Sequence, residues 1–425
     1  MKLKELINQI QGTDLDETFK LLYGDENVDE QKKRYLGIID NAKQYFDDED
    51  EVSLFSAPGR CEIGGNHTDH QLGRVLVASI NLDIVGIAKK SDDNKAYYYS
   101  DSFNIDPVDL DDLDIKVEEK NTSTAIVRGV NAKAKELGYN IGGFVSYAES
   151  NVLKGSGMSS SAAYENFLGL IISHLYNEGN IDAVTIAKMG QYAENNYFMK
   201  DCGLLDQMAS SVGHFLEIDF QDKENPVIET IDFNPEKYNY TLIVTDTLGS
   251  HEDLSDEYSA IPNEMKGVAR CMDQEVLSTS NEDELIENVK KIRENCGDRA
   301  FLRAFNFMHE TERALDEAEA LKADDFDAFL DLVTESGVSS WMYLQNVLVP
   351  GSNEHQELGI GLALSEYILH NDGAYRVHGG GFAGTILAFV PNDLVDDYIY
   401  VMESAFEKGC CYKLRIRNAG SIKIA

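Results

Sequence analysis

Residues 154–163 read Lys-Gly-Ser-Gly-Met-Ser-Ser-Ser-Ala-Ala, between a run that predicts a strand (Gly143 to Glu149) and one that predicts a long helix (Ser159 to Tyr176). A strand that turns into a helix through glycines leaves several backbone N–H groups free at the helix start, where the helix dipole is positive. That arrangement holds an anion without any basic surface. The point matters because the 425 residues carry 37 Lys plus Arg against 75 Asp plus Glu, a net charge of −38. Such a charge argues against nucleic acid or anionic lipid as a partner through a general basic face. The serine hydroxyls of the turn suit phosphate oxygens or a hard cation such as Mg²⁺; a plain serine N-cap is the structural alternative. The turn matches neither a Walker A loop nor a G-x-G-x-x-G fingerprint.

The length exceeds what one hydrophobic core usually serves, which predicts two domains. Helical periodicity over the first 46 residues (Leu3, Leu6, Ile7, Ile10, then Glu30 to Phe46) predicts a helical lead-in. Short β-like runs follow (Val52 to Phe55, Val75 to Ile80, Ile84 to Ala88, Ala96 to Tyr99). Helix is predicted over Thr122 to Leu137 and Asp182 to Tyr197, and strand over Phe215 to Phe220 and Thr241 to Thr245. The acidic, turn-rich segment Gln221 to Tyr240 reads as a connection and places the boundary, giving units 47–232 and 233–425. The second unit reads as helices at Ser255 to Leu277, Asp283 to Glu294, Asp298 to Ala320, Phe326 to Met342 and Glu354 to His370. Strands at Ala374 to Val377, Thr385 to Val390 and Tyr412 to Arg417 complete it, with a helix at Asp393 to Lys408. The fold class is α+β. No apolar run is long enough to span a membrane and the N-terminus lacks a signal-peptide pattern, so a cytoplasmic protein is expected. Six scattered cysteines without a CxxC pair read as reduced, mostly buried thiols.

Three further segments concentrate chemistry. Ala57-Pro-Gly-Arg-Cys-Glu-Ile-Gly-Gly-Asn-His-Thr-Asp-His70 packs Arg60, Asp69, His67 and His70 into what reads as a glycine-interrupted turn after a strand, either a site or a solvated salt bridge. A metal on the two histidines lacks a third ligand. His378-Gly-Gly-Gly-Phe-Ala-Gly384 stands between two predicted strands and by itself is as well read as a turn. Asp201-Cys-Gly-Leu-Leu-Asp-Gln207 places Asp206 in an uncharged run, where a carboxylate is either a bonded structural group or a catalytic one.

Together and in this order, the segments resemble the signature motifs of the GHMP kinases, and within them the galactokinases. The first is similar to G-R-V-N-L-I-G-E-H-T-D-Y, with Asn66 in place of its Glu, His70 of its Tyr and Cys61-Glu62 of its Val-Asn. The second resembles G-L-S-S-S-A, with Met158 for Leu; the third resembles G-G-G-F-G-G, with Ala383 for Gly. Cys202 to Gln207 resembles C-G-I-M-D-Q, and Glu257-Tyr258 the S-E-Y segment. The resemblance spans residues 18 to 425 and implies a two-domain fold. Its N-terminal domain would be like domain 2 of ribosomal protein S5 and its C-terminal domain ferredoxin-like, with a sugar and ATP between them.

It further implies that Asp206 takes the proton of the anomeric hydroxyl, and that Arg60 stabilises Asp206 and the transferring phosphoryl group. By position, Asn66, His67, Asp69, Gly203 and Tyr258 line the sugar pocket. Gly155, Ser156, Gly157, Met158, Ser159, Ser160 and Ser161 would wrap the triphosphate, with Mg²⁺ on Ser161 and Glu194. A monomer that phosphorylates galactose is the expectation. The alternatives are a relative acting on N-acetylgalactosamine or a pentose, and a non-catalytic sugar sensor.

Overall fold

A computed structural model describes residues 1–101, 103–152, 157–250 and 254–425. Two sheets organise it. The larger runs Ile422–Lys423, Ser53–Gly64, Arg74–Lys90, Phe144–Ser150, Lys95–Ser100, Val108–Asp109. The front half of the long Arg74–Lys90 strand pairs with Phe215–Asp219 instead, which in turn pairs with Val227–Ile231. The smaller sheet is antiparallel, in the order Cys411–Leu414, Tyr240–Asp246, Thr385–Pro391, Ala374–His378.

The expected elements are present, with instructive differences. The first signature is not a turn up to Gly65. Its residues Ala57 to Gly64 continue the Ser53–Gly64 strand, which passes Pro58, Gly59 and Gly64 by shifting register twice against Arg74–Lys90. Such irregularities let a strand absorb residues that otherwise end it. The segment expected to be only a connection, Gln221 to Tyr240, contains the strand Val227–Ile231 and a 3₁₀ turn at Pro235–Tyr238. The helix expected over Asp283 to Glu294 breaks at Asn288 into Glu282–Glu287 and Val289–Cys296. All six cysteines are free thiols, but only Cys61 and Cys410 are buried.

Each sheet face is covered by an apolar stripe. The lead-in forms helices Leu3–Gln11, Asp16–Tyr23 and Val28–Ala42, whose Leu6, Ile10, Phe19, Tyr35 and Ile39 pack with Leu54, Val85, Ile87 and Tyr147 of the large sheet. On the other face, helices Ser123–Glu136, Ser160–Tyr176 and Ala183–Ala193 bury Val127, Val130, Phe167, Ile171 and Met189 against Phe55, Phe144 and Ala148. Helix Asp298–Lys322 and helix Phe326–Ser339 lie between the sheets, with Ala318, Phe329 and Val333 packed alongside Ile63, Leu76, Val244 and Leu387. One core thus spans both sheets and fixes them relative to each other. Among the described residues no helix is long and apolar enough to cross a membrane.

Candidate active site

Three chain segments close on one carboxylate. Arg60, with a side chain 6% exposed, donates from Nε to Asp206 Oδ1 at 2.7 Å and from Nη1 to the carbonyl of Gly157. The other Asp206 oxygen accepts from the Ser159 hydroxyl. Asp206 sits in the first turn of helix Leu205–Val212, an element the sequence reading did not mark. Burial opposes ionisation of Asp206. The charge and hydrogen bond of Arg60, the Ser159 hydroxyl and the charge of Lys200 outweigh it and hold the carboxyl below its ordinary value.

The serine-rich turn is shaped for this contact. Ser159 precedes helix Ser160–Tyr176 in a left-handed conformation (φ 55°) and makes no side-chain cap bond, so the plain N-cap alternative does not describe it. Its hydroxyl goes to Asp206 instead. Gly157, also at positive φ, lies against the third glycine loop: a Cβ on it would stand 3.1 Å from Thr385 Oγ1 and 3.3 Å from His378 Nδ1. Met158 is fully buried in the core between the sheets, Ser160 opens the helix, and Ser161 is exposed in its first turn. Gly155 and Ser156 lie outside the described residues.

Three of the five residues expected around a sugar converge on the third loop, carbonyl by carbonyl. Asn66 Nδ2 donates to Gly379 O at 2.8 Å, His67 Nε2 to Gly380 O at 3.1 Å, and the Tyr258 hydroxyl to Gly381 O at 2.9 Å. Burial lowers the His67 pKa to about 4, so the ring is neutral at physiological pH. Asp69 lies directly against Gly203, where a Cβ would fall 1.6 Å from Asp69 Oδ2; this is a contact only glycine permits. Burial, and then the charge of Asp206, raises the Asp69 pKa to about 6.

Glu194 opens a π-helical turn, Glu194–Phe198, where the expected Asp182 to Tyr197 helix loses its α geometry. Such turns recur at functional sites. The buried Glu194 accepts from Gln207 Nε2 at 2.9 Å, while its other oxygen is 3.3 Å from Lys200 Nζ. The same Gln207 amide donates to Glu165 at 2.9 Å. Burial, and then the charge of Glu194, push the Glu165 pKa well above its ordinary value. Among the described residues no group of three His, Cys, Asp or Glu side chains forms a metal cluster.

The structure adds residues that the sequence reading gave no role. Glu310, buried on helix Asp298–Lys322, accepts from the backbone N–H of Gly65 at 3.2 Å and of Asn66 at 3.4 Å. Asn346 donates to Asn66 Oδ1 at 2.8 Å, and Arg376 donates to Ile63 O at 2.6 Å. Only Arg376 carried a signal, through its place ahead of the glycine loop.

Comparison with known proteins agrees with this geometry. The GHMP kinases N terminal domain matches residues 124–214, and the galactokinase galactose-binding signature matches residues 43–90. In fold, the chain is similar to the crystal structure of Lactococcus lactis galactokinase complexed with galactose (TM-score 0.76, 24% identity, 97% of this chain and 99% of that one). It is also similar to Methanococcus jannaschii mevalonate kinase (TM-score 0.61, 16% identity, 87% and 99%). The serine-rich turn clamped to a carboxylate lies on a two-sheet scaffold like that of these kinases, and the GHMP kinases N terminal domain matches the segment of the chain that carries both.

Its curated relatives narrow the assignment. The galactokinase of Ligilactobacillus salivarius (strain UCC118) is 28% identical over 386 residues, covering 85% of this chain and 91% of the relative. The galactokinase of Lactobacillus helveticus is 29% identical over 362 residues, covering 81% and 87%. Both relatives are galactokinases, and the family model that matches residues 43–90 is the galactokinase galactose-binding signature.

Proposed function

We propose that this chain transfers the terminal phosphoryl group of ATP to the anomeric hydroxyl of galactose. The observation that carries the reading is the junction of Arg60, Asp206 and Ser159, which sets a charged carboxylate beside the serine-rich turn. Phosphoryl transfer passes through a loose transition state, so a protein contributes chiefly by in-line positioning and by placing charge. In this reading Asp206 accepts the hydrogen of the anomeric hydroxyl and aims its oxygen at phosphorus. An ionised carboxylate paired with Arg60 is a weak base, so it orients the hydroxyl as much as it removes the proton. Arg60 stays charged and, beside Asp206 and the serine-rich turn, would share the charge that develops on the phosphoryl oxygens.

The backbone N–H groups at the start of helix Ser160–Tyr176, with the turn before it, hold phosphate oxygens. Ser161 and Glu194 are hard oxygen donors of the kind Mg²⁺ takes, one or two at a time, beside phosphate and water. Lys200 Nζ stands 3.3 Å from one Glu194 oxygen, so Mg²⁺ on that oxygen would take the place of the ammonium. Bound Mg²⁺ would offset the triphosphate charge. Asp69, Gly203, His67, Tyr258 and Asn66 make the sugar wall.

A sugar panel with coupled ADP detection, and ³¹P NMR of the product, tests the reading. Turnover of galactose to the 1-phosphate is expected. Turnover of N-acetylgalactosamine or a pentose with none on galactose would replace the substrate, and sugar binding without turnover would favour a sensor.

A further inference from the structure

Cys271 and Cys296 are 25 positions apart in the chain, yet their Sγ atoms lie 3.2 Å from each other. Each is the last residue of a helix, Ser255–Cys271 and Val289–Cys296. The helices meet where Gly267, one turn before Cys271, presents no side chain: a Cβ there would stand 3.6 Å from Cys296 Sγ. The two thiols sit at the rim of a core built from Ile261, Met265, Val268, Leu285 and Ile292. Neither is buried, which leaves the pair open to a small solute. The other thiols that meet among the described residues, Cys410 and Cys411, are chain neighbours 3.9 Å apart, and Cys410 is buried.

We propose that Cys271 and Cys296 are a redox modification site, which a small-molecule disulfide converts to an intramolecular disulfide that clamps the two helix ends and spares the active site. The sulfurs need approach by only about 1 Å to reach the length of about 2.05 Å that a disulfide takes. One thiolate of the pair attacks the external disulfide, joins one of its sulfurs and releases the other as a thiol. The second cysteine displaces the sulfur so joined, and the bond between Cys271 and Cys296 forms. The pair gives up two electrons and two protons, which the external disulfide takes up as two thiols. Burial, and then the contact with Cys271, push the Cys296 thiol up to about 11, so it rests protonated until an oxidant arrives. Tyr258 stands at the opposite end of the Ser255–Cys271 helix, on the order of 20 Å away, so the clamp does not reach the sugar wall.

The test treats the full chain with oxidised glutathione, reads mass, peptide map and thermal melt, and repeats all three after dithiothreitol. Expected are the loss of two hydrogens, a peptide pair joined through Cys271 and Cys296, and a reversible rise in Tm of about 2–5 °C, the gain for closing a loop of this length in a large chain. Cys271→Ala should lose both the crosslink and the shift on oxidation; if it does not fold, Cys296→Ser serves in its place. Galactose turnover should be equal in the oxidised and reduced forms. A glutathione adduct on one cysteine, a crosslink between chains, an unchanged Tm in the crosslinked protein or turnover lost on oxidation would overturn the proposal. A reduced protein inactive on every sugar would overturn the function proposed above, while mass and melting still decide the disulfide.

Discussion

Arg60 and Asp206, 146 residues apart in the chain, meet through one hydrogen bond of 2.7 Å, and that contact draws the serine-rich turn in behind it. Arg60 makes two bonds in different directions, one to the carboxylate and one to the Gly157 carbonyl. A lysine offers a single point charge and lacks the planar fork that serves both. Arg60→Lys should therefore lower kcat by about 100-fold or more, the range for losing one aimed donor to developing charge. Steady-state kinetics with coupled ADP release checks it; a kcat within threefold of wild type would mean that the fork is not used.

Asp69 and Glu62 are acids whose pKa values burial raises to about 6 and about 7, while Asp206 stays ionised well below that range. Asp69 should serve the sugar as a charged acceptor, so the free-enzyme profile of kcat/KM for sugar should rise through about pH 6. Stability should move the other way. An acid whose folded pKa lies above its unfolded value binds more protons when folded, so raising the pH from the unfolded value near 4.5 to about 7 costs stability. A pH series of kinetics beside thermal melts reads both limbs. Parallel rather than opposed trends would count against these ionisations.

Asp83 is fully buried between Arg417, also fully buried, and Arg34, and accepts from Ser56 and Tyr23 as well. It ties the N-terminal helices and the chain's last residues to the large sheet. Asp83→Ala leaves two guanidinium groups without their partner and should cost about 3–5 kcal/mol. Burial works against its ionisation, but the two arginines dominate and hold its pKa below the ordinary value. This contribution is complete above the unfolded value of about 3.9 and is lost as pH falls through the folded one. Urea unfolding of the variant, and of wild type at pH 7 and pH 3, measures each part. A variant as stable as wild type would show that the cluster is energetically neutral.

Glu310 holds the turn at Gly65 and Asn66 by two peptide N–H groups from a helix 245 residues further on. Glu310→Ala should raise KM for sugar at least tenfold, because two buried donors lose their acceptor, while KM for ATP changes little. Glu310→Gln keeps an acceptor oxygen and should restore much of the loss. Equal effects on both KM values would show general loosening of the fold.

How far the sequence led depends on the kind of physics involved. Helix Ser160–Tyr176 and strand Phe144–Ser150 were legible to within a residue or so, because their apolar periodicity is local. Strand Val227–Ile231 is short and mostly exposed, and it exists through its pairing with Phe215–Asp219, which no local pattern announces. Helix Leu205–Val212 is only eight residues long, two turns in which Ser210 and Ser211 interrupt the apolar pattern.

In the site, the motif order set Arg60 beside Asp206, as the structure has them, but gave Ser159 to the triphosphate and left its hydroxyl on Asp206 unseen. It did not reveal that His67 and Tyr258 bond to glycine carbonyls, nor that Glu310 and Asn346 brace the signature turn. Those partners are backbone groups or distant helix residues, and a backbone carbonyl has no letter in a sequence.

The most direct measurement is galactose-dependent ADP release by Asp206→Asn beside wild type, with ATP affinity followed by titration. The account predicts a fall in kcat of at least about 1,000-fold, since the amide cannot take a proton and leaves Arg60 without its counter-charge, with ATP affinity within a few-fold. Turnover by Asp206→Asn close to the wild-type rate would contradict it, because the carboxylate on which Arg60 and Ser159 converge would then have no part in the transfer.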